Sequence, residues 1–184
     1  RKETSDEEIV TEWNKIKDYV TFYDHFGSTS SDDLLNKIRY MVKGLDCKVI
    51  FLDHISIVVS GLADGDERRL IDNTMTSLRQ LVEELNCALF VVSHLKRPEG
   101  KFGHEEGTQT SLSHLRGSHS LAQLSDAVIG FERNQQSADE GNMMICRVLK
   151  NRFSGDTGIA STLIYNKDTG RLSEGDFDEW KNIN

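Results

Sequence analysis

Two short apolar runs constrain this chain more than any other feature. Val49-Ile50-Phe51-Leu52 breaks off into Asp53-His54, and Ala88-Leu89-Phe90-Val91-Val92 breaks off into Ser93-His94. Runs this short, apolar at every position, predict strands buried on both faces, the pattern of a parallel sheet. Between them Leu70, Ile71, Met75, Leu78, Leu81, Val82 and Leu85 recur at helical spacing. A strand, a helix and a parallel returning strand make a right-handed crossover. Polar residues that leave such strands gather at the edge where open α/β sheets bind their ligands.

The rest of the chain extends this α/β reading. Ser5 and Glu8 stand at capping-box spacing ahead of Ile9, Val10, Trp13, Ile16 and Val20, predicting an acidic amphipathic helix. A short strand over 20–23 and a polar loop over 27–31 are expected next. A second helix is then capped by Ser31 ahead of Asp32 and Asp33, carries Leu34, Leu35, Ile38, Met41 and Val42, and ends at Gly44. After residue 125 strands are expected over 127–131, 143–149 and 159–165 with little helix between them. Residues 166–170 read as a hairpin turn into Arg171-Leu172. The parallel core is thus expected to continue into antiparallel strands. By this reading 1–30 hold the acidic helix and first strand, 31–173 the main α/β body, and 174–184 an acidic tail.

Composition narrows the setting. A chain of 184 residues is long enough to bury a core. No apolar run approaches the roughly 20 residues of a membrane-spanning helix. No charged-then-apolar leader opens the chain, which predicts a cytoplasmic protein. The chain begins at Arg1 rather than methionine, so an excised or processed piece is expected. Cys47, Cys87 and Cys146 are odd in number and form no CxxC, which suits free thiols in a reducing compartment. His104, His114 and His119 lack a companion cysteine or close carboxylate, so no metal site is expected there. With 22 Lys+Arg against 30 Asp+Glu the net charge is −8. That balance weighs against nucleic acid as a partner only at whole-chain scale, because the acid concentrates near the termini.

Four apolar residues followed by Asp form the pattern of a Walker B strand. Its carboxylate is held where Mg²⁺ binds, usually through water, beside nucleotide phosphates. Elsewhere such an Asp merely caps a turn. A His at the end of a neighbouring strand suits a γ-phosphate contact, or equally a bond to loop backbone. The surrounding segments add specificity. In order they are Asp53-His54-Ile55-Ser56-Ile57, Val92-Ser93-His94-Leu95-Lys96, Leu115-Arg116-Gly117-Ser118 with Gln123-Leu124-Ser125-Asp126, Phe131-Glu132-Arg133-Asn134-Gln135, and Lys150-Asn151-Arg152-Phe153-Ser154-Gly155-Asp156-Thr157-Gly158. From about Leu34 to about Leu172 the chain resembles the DnaB-like ring helicases with a RecA-type core, in particular the helicase half of phage primase–helicases.

The resemblance implies a RecA-like P-loop NTPase fold, a hexameric ring of identical subunits, single-stranded DNA as partner, and Mg²⁺ with ATP or dTTP. It makes Asp53 the Mg²⁺-positioning carboxylate and His94 the γ-phosphate sensor. It places Lys96, Arg97 and Lys101, in a loop with one acid at Glu99, on the DNA strand. Arg116 and Gln123 match a further DNA-facing motif. There the chain departs from some relatives, with Ala122 where they carry a basic residue, so that a DNA contact is missing or moved to His119. Arg133 matches a residue linking nucleotide and subunit interface. Arg152 matches the arginine finger, worth roughly 10³–10⁵ in rate in other NTPases. Tyr165 matches an aromatic that stacks on the base, although a strand Tyr is also often simply packed. The tail, with Glu174, Asp176, Asp178 and Glu179 near Phe177 and Trp180, resembles acidic tails that dock onto a replicative polymerase; a solvated end is the simpler reading.

The phosphate-cradling pattern GxxxxGK(S/T) is absent from the 184 residues. The family's Gly-rich loop and its water-activating Glu are expected upstream of Arg1, so the chain alone is not expected to hydrolyse nucleotide. Two functions follow as expectations. One is the distal part of a helicase that couples NTP hydrolysis to 5′-to-3′ movement on DNA. The other is a catalytically silent RecA-like module for DNA binding or docking.

Overall fold

The computed structural model describes residues 4–24, 29–58, 64–98, 102–115, 119–138 and 141–175. They divide into two compact units, one from the described residues of 4–94 with 119–124, the other from those of 95–115 with 125–175.

In the first unit the helices begin where local chemistry satisfies their free N–H groups. Helix α1 (Asp6–Ile16) opens on a complete capping box, with Ser5 and Glu8 each bonded to the other's backbone N–H. None of its residues is buried. Helix α2 (Ser31–Leu45) is capped by Ser30, whose hydroxyl accepts from Asp33 N at 3.1 Å. The cap lies one residue earlier than expected, which releases Ser31 to bond the buried Thr74 hydroxyl at 2.6 Å. Gly44 does not end α2. A Cβ there would lie 3.0 Å from the Tyr40 ring, so the glycine accommodates that ring, and Asp46 takes the left-handed capping position at φ 57°.

Strand β1 (Val49–Leu52) and strand β2 (Ala88–Val91) pair in parallel, with Val49 opposite Ala88 and Leu52 opposite Val91. Helix α3 (Asp64–Leu85) joins them and is longer than its apolar pattern. The core collects Leu34, Ile38 and Val42 of α2, Ile50 and Leu52 of β1, and Ile71, Met75, Leu78 and Leu81 of α3. Ile55 and Val58, in a 3-10 turn, and Leu121 of α4 (His119–Leu124) complete it.

Two further expectations fail in this unit. No strand forms over 20–23, which is irregular chain with exposed side chains. A strand needs a neighbour for its backbone N–H and C=O groups, and no described strand pairs with this segment. Nor are β1 and β2 buried on both faces. Residues on β1 alternate between exposed and buried, and Phe51 and Phe90 stack at 4.9 Å while 73% and 52% exposed. The α-helical core covers the Ile50 and Leu52 side only.

The second unit is an antiparallel sheet in the order β3–β4–β5–β6, from Ala127–Glu132, Met143–Asn151, Gly158–Tyr165 and Leu172–Gly175. The β5–β6 hairpin turns at 166–170, where Asn166 Oδ1 accepts from Asp168 N and Thr169 N and Gly170 takes φ 71°. The α/β architecture of a parallel and an antiparallel sheet matches the fold expected from the sequence. No helix among the described residues is long and apolar enough to cross a membrane.

Candidate functional site

The parallel register brings the two strand-end motifs to one place. Because Leu52 pairs with Val91, Asp53 and His54 emerge beside Ser93 and His94. The ladder continues past the strands, with Val92 N donating to Leu52 O at 2.9 Å and Ile55 N to Val92 O at 3.0 Å. Asp53 and His94 are exposed. The His54 ring, unassigned by the sequence, packs against that of His94, centroids 4.2 Å apart at 61°. Gln123 lies exposed on α4, and Arg116 lies outside the described residues.

In the second unit, Lys96 and Arg97 begin the loop matched to DNA binding, and both are exposed. Lys101 lies outside the described residues. The loop is fastened at its base. Lys96 N donates to His114 O at 2.8 Å, Leu95 and Leu115 form a β-bridge, and His104 Nε2 lies 3.3 Å from Lys96 O. The other ring nitrogen of His104 lies 3.4 Å from Thr108 O, and its ring meets that of His114 at 5.1 Å. Burial, helped by the charges of His104 and Lys96, lowers the His114 pKa and favours its neutral form. These histidines act on the loop through hydrogen bonds and packing; among the described residues no group of three His, Cys, Asp or Glu is placed to hold a metal. Arg97 reaches Glu105 at 3.8 Å, both well exposed, an ion pair too solvated to hold the loop alone.

Arg133 and Tyr165 lie together. The Arg133 guanidinium stands 5.8 Å from the Tyr165 ring centre, and its Nε donates to Gly141 O at 2.7 Å. Tyr165 N donates to Asn142 O at 2.8 Å. The ring therefore has a cationic neighbour rather than a purely apolar setting. Arg152, just beyond β4, pairs with Asp126 at 3.0 Å, and its backbone N–H donates to Asp126 O at 2.8 Å. Among the described residues, Asp126 fixes where the guanidinium starts.

A buried ion pair that sequence reasoning missed organises this unit. Arg147 stands opposite Gly130 across the β3–β4 ladder, beside a register shift in β4. Gly130 has no side chain, so the guanidinium runs diagonally along the same face to Glu132. Its Nε and one terminal nitrogen reach the carboxylate at 2.7 and 3.0 Å. Thr110 donates to the same carboxylate through its N–H at 2.8 Å and its hydroxyl at 2.7 Å. A Cβ on Gly130 would lie 2.2 Å from the Thr110 hydroxyl, so the glycine is what admits that loop. Burial alone would raise the Glu132 pKa; the hydrogen bonds from Arg147 and Thr110 and the Arg147 charge outweigh it and hold the carboxyl below its ordinary value. Arg147 is raised in turn by its bonds to Glu132. Glu132 lies inside a matched motif, but only the strand register reveals its partner. The three cysteines are free and half-buried, and burial raises the thiol pKa of Cys87.

The tail residues Asp176, Phe177, Asp178, Glu179 and Trp180 lie outside the described residues, whereas Glu174 is exposed on β6.

Comparison with known proteins bears on the family of the chain. The chain is 50% identical over 155 residues to a DNA helicase/primase of Enterobacteria phage T3, covering 84% of this chain and 27% of that protein. It is 28% identical over 106 residues to a probable plasmid replicative DNA helicase of Chlamydia trachomatis, covering 58% of this chain and 23% of that one. The chain thus spans about a quarter of the length of these relatives. Among solved structures, a DnaB-like replicative helicase described with its primase interactions superposes with a TM-score of 0.72 at 20% identity, over 94% of this chain and 42% of that one. A KaiC-like protein from Pyrococcus horikoshii OT3 superposes at 0.60 and 14% identity, over 91% and 64%. The family model for the DnaB-like helicase C-terminal domain matches residues 2–174, and the chain belongs to that family.

Proposed function

We propose that this chain is the distal part of a replicative DNA helicase motor that couples NTP hydrolysis to 5′-to-3′ translocation on single-stranded DNA and duplex unwinding. The observation that carries the reading is the parallel register that ends the Asp53 and His94 strands side by side, with His54, next to Asp53 in the chain, packed against His94. Asp53 offers one exposed carboxylate just past the end of β1. That fits Mg²⁺, which keeps most of its waters and binds through one or two carboxylates together with substrate phosphates. Bound MgATP or MgdTTP would supply the phosphoryl group and a counter-charge for it. Asp53 would orient the cation's water shell, and His94 would donate to the terminal phosphate. Arg152, tethered by Asp126, would act on the neighbouring subunit of a hexamer. Lys96, Arg97, Lys101, Arg116 and Gln123 would track the DNA strand, and Arg133 with Tyr165 would face the nucleotide. The acidic tail would engage a replicative polymerase, and the protein would work in the cytoplasm of a phage-infected bacterium.

GxxxxGK(S/T) does not occur within these 184 residues, so on this reading the phosphate cradle belongs to another part of the motor. In a full-length protein carrying this chain, Asp53→Ala is expected to abolish Mg²⁺-dependent, DNA-stimulated hydrolysis while DNA binding persists. Hydrolysis at the wild-type rate in that variant refutes the reading. A second reading is a catalytically silent RecA-like module for DNA binding or docking. Single-stranded DNA binding with no hydrolysis by the full-length protein selects it.

A further inference from the structure

The strand ends hold a second histidine that the function above does not use. His54 follows Asp53, and its backbone is tightly placed. Leu52 before it is buried and accepts from Val92 N at 2.9 Å, and Ile55 after it is fully buried and donates to Val92 O at 3.0 Å. The ring fixed by this clamp is half-buried and meets the His94 ring at 4.2 Å and 61°. His54 Nδ1 is buried and has no hydrogen-bond partner. The ring is therefore held by shape rather than by a bond through that nitrogen. His94 has the opposite character: it is exposed, at the point where the chain leaves the first unit for the loop at Lys96. An exposed imidazole samples several rotamers, and each that misses the phosphate lowers the fraction ready to react.

We infer that His54 is a positioning residue for His94. Its ring forms a wall that restricts the His94 imidazole to the orientation in which it meets the terminal phosphate of a bound nucleoside triphosphate. The inference rests on the reading of Asp53 and His94 as the phosphate end of an NTPase site. It assigns His54 no contact with nucleotide, metal or DNA. Because the ring acts as a flat body, phenylalanine is expected to replace it and asparagine is not, although asparagine keeps a polar group.

The test measures DNA-stimulated hydrolysis of MgATP and MgdTTP by the full-length protein carrying this chain, with wild type, His54→Ala, His54→Phe, His54→Asn, His94→Ala and the double variant His54→Ala/His94→Ala. A misplaced reacting group costs up to about a hundredfold, so His54→Ala and His54→Asn are expected to lower kcat about tenfold to a hundredfold with KM little changed. His54→Phe is expected to remain close to wild type. The double variant is expected to be no slower than His94→Ala alone, because a wall has nothing left to position. A wild-type kcat in His54→Ala overturns the inference, as does rescue by asparagine without rescue by phenylalanine. Additive losses in the double variant also overturn it, since they give His54 a role of its own. If His94→Ala keeps full DNA-stimulated hydrolysis, the reading of the site itself fails, separately from His54.

Discussion

Replacing Arg147 with methionine isolates what the buried ion pair contributes. The Glu132 and Arg147 side chains are 4% and 15% exposed, so neither ion is well solvated when its partner is lost. The variant removes the donors at 2.7 and 3.0 Å and leaves Glu132 with the two from Thr110. Stranding one charge of a buried pair costs about 3–5 kcal/mol, and the surviving donors favour the lower end. At about 2–4 °C per kcal/mol for a chain of this size, Arg147→Met lowers Tm by about 6–12 °C. Differential scanning calorimetry near neutral pH measures it, and the transition to follow is that of the antiparallel unit. The double variant Glu132→Gln/Arg147→Met removes both charges yet keeps an acceptor for Thr110, and it is expected to recover more than half of the loss. A Tm within about 2 °C of wild type for Arg147→Met would show that water reaches the carboxylate and that the burial argument is wrong. A double variant as unstable as the single one would show that the cost lies in packing rather than in the stranded charge.

Three further outcomes follow from the same geometry. The Glu132 pKa is lower in the folded chain than its ordinary 4.5, so the unfolded chain binds more protons in the acid range. Its contribution is therefore full above the unfolded pKa and fades as pH falls through the folded one; acid titration of Tm should flatten in Glu132→Gln. If Lys96 tracks the DNA strand as proposed, Lys96→Ala removes one phosphate contact, and the slope of log K against log salt for single-stranded DNA is expected to fall by about 0.7 in magnitude, with anisotropy as the measurement. Arg152→Ala is expected to cut hydrolysis by roughly 10³–10⁵ while stability moves by under about 1 kcal/mol, because its pair with Asp126 is largely solvated. A slowed rate matched by an equal loss of folded protein would remove the finger assignment.

Helices α1, α2 and α3 and the turn at 166–170 were legible in the sequence because their signals are local. Ser5 and Glu8, or Asn166 and Gly170, satisfy backbone groups within a few residues of themselves. The expected strand at 20–23 failed because a strand has no such local closure. Its apolar residues were visible, and its missing neighbour was not. Gly44 misled for a similar reason: a glycine late in a helix suggests a stop, but here it makes room for Tyr40.

By itself the sequence nominated candidate residues: Asp53, His94 and the arginines stand in an order that short motifs record. Only the tertiary structure decided which of them meet. Parallel register set His54 against His94, antiparallel register set Arg147 diagonal to Glu132, and backbone pairing set Arg152 on Asp126. Tertiary structure also decided that the β1–β2 pair buries one face and leaves Phe51 and Phe90 on the other. The physical reason is range. Caps, turns and helical periodicity act over three or four residues, whereas register and burial depend on segments far apart along the chain.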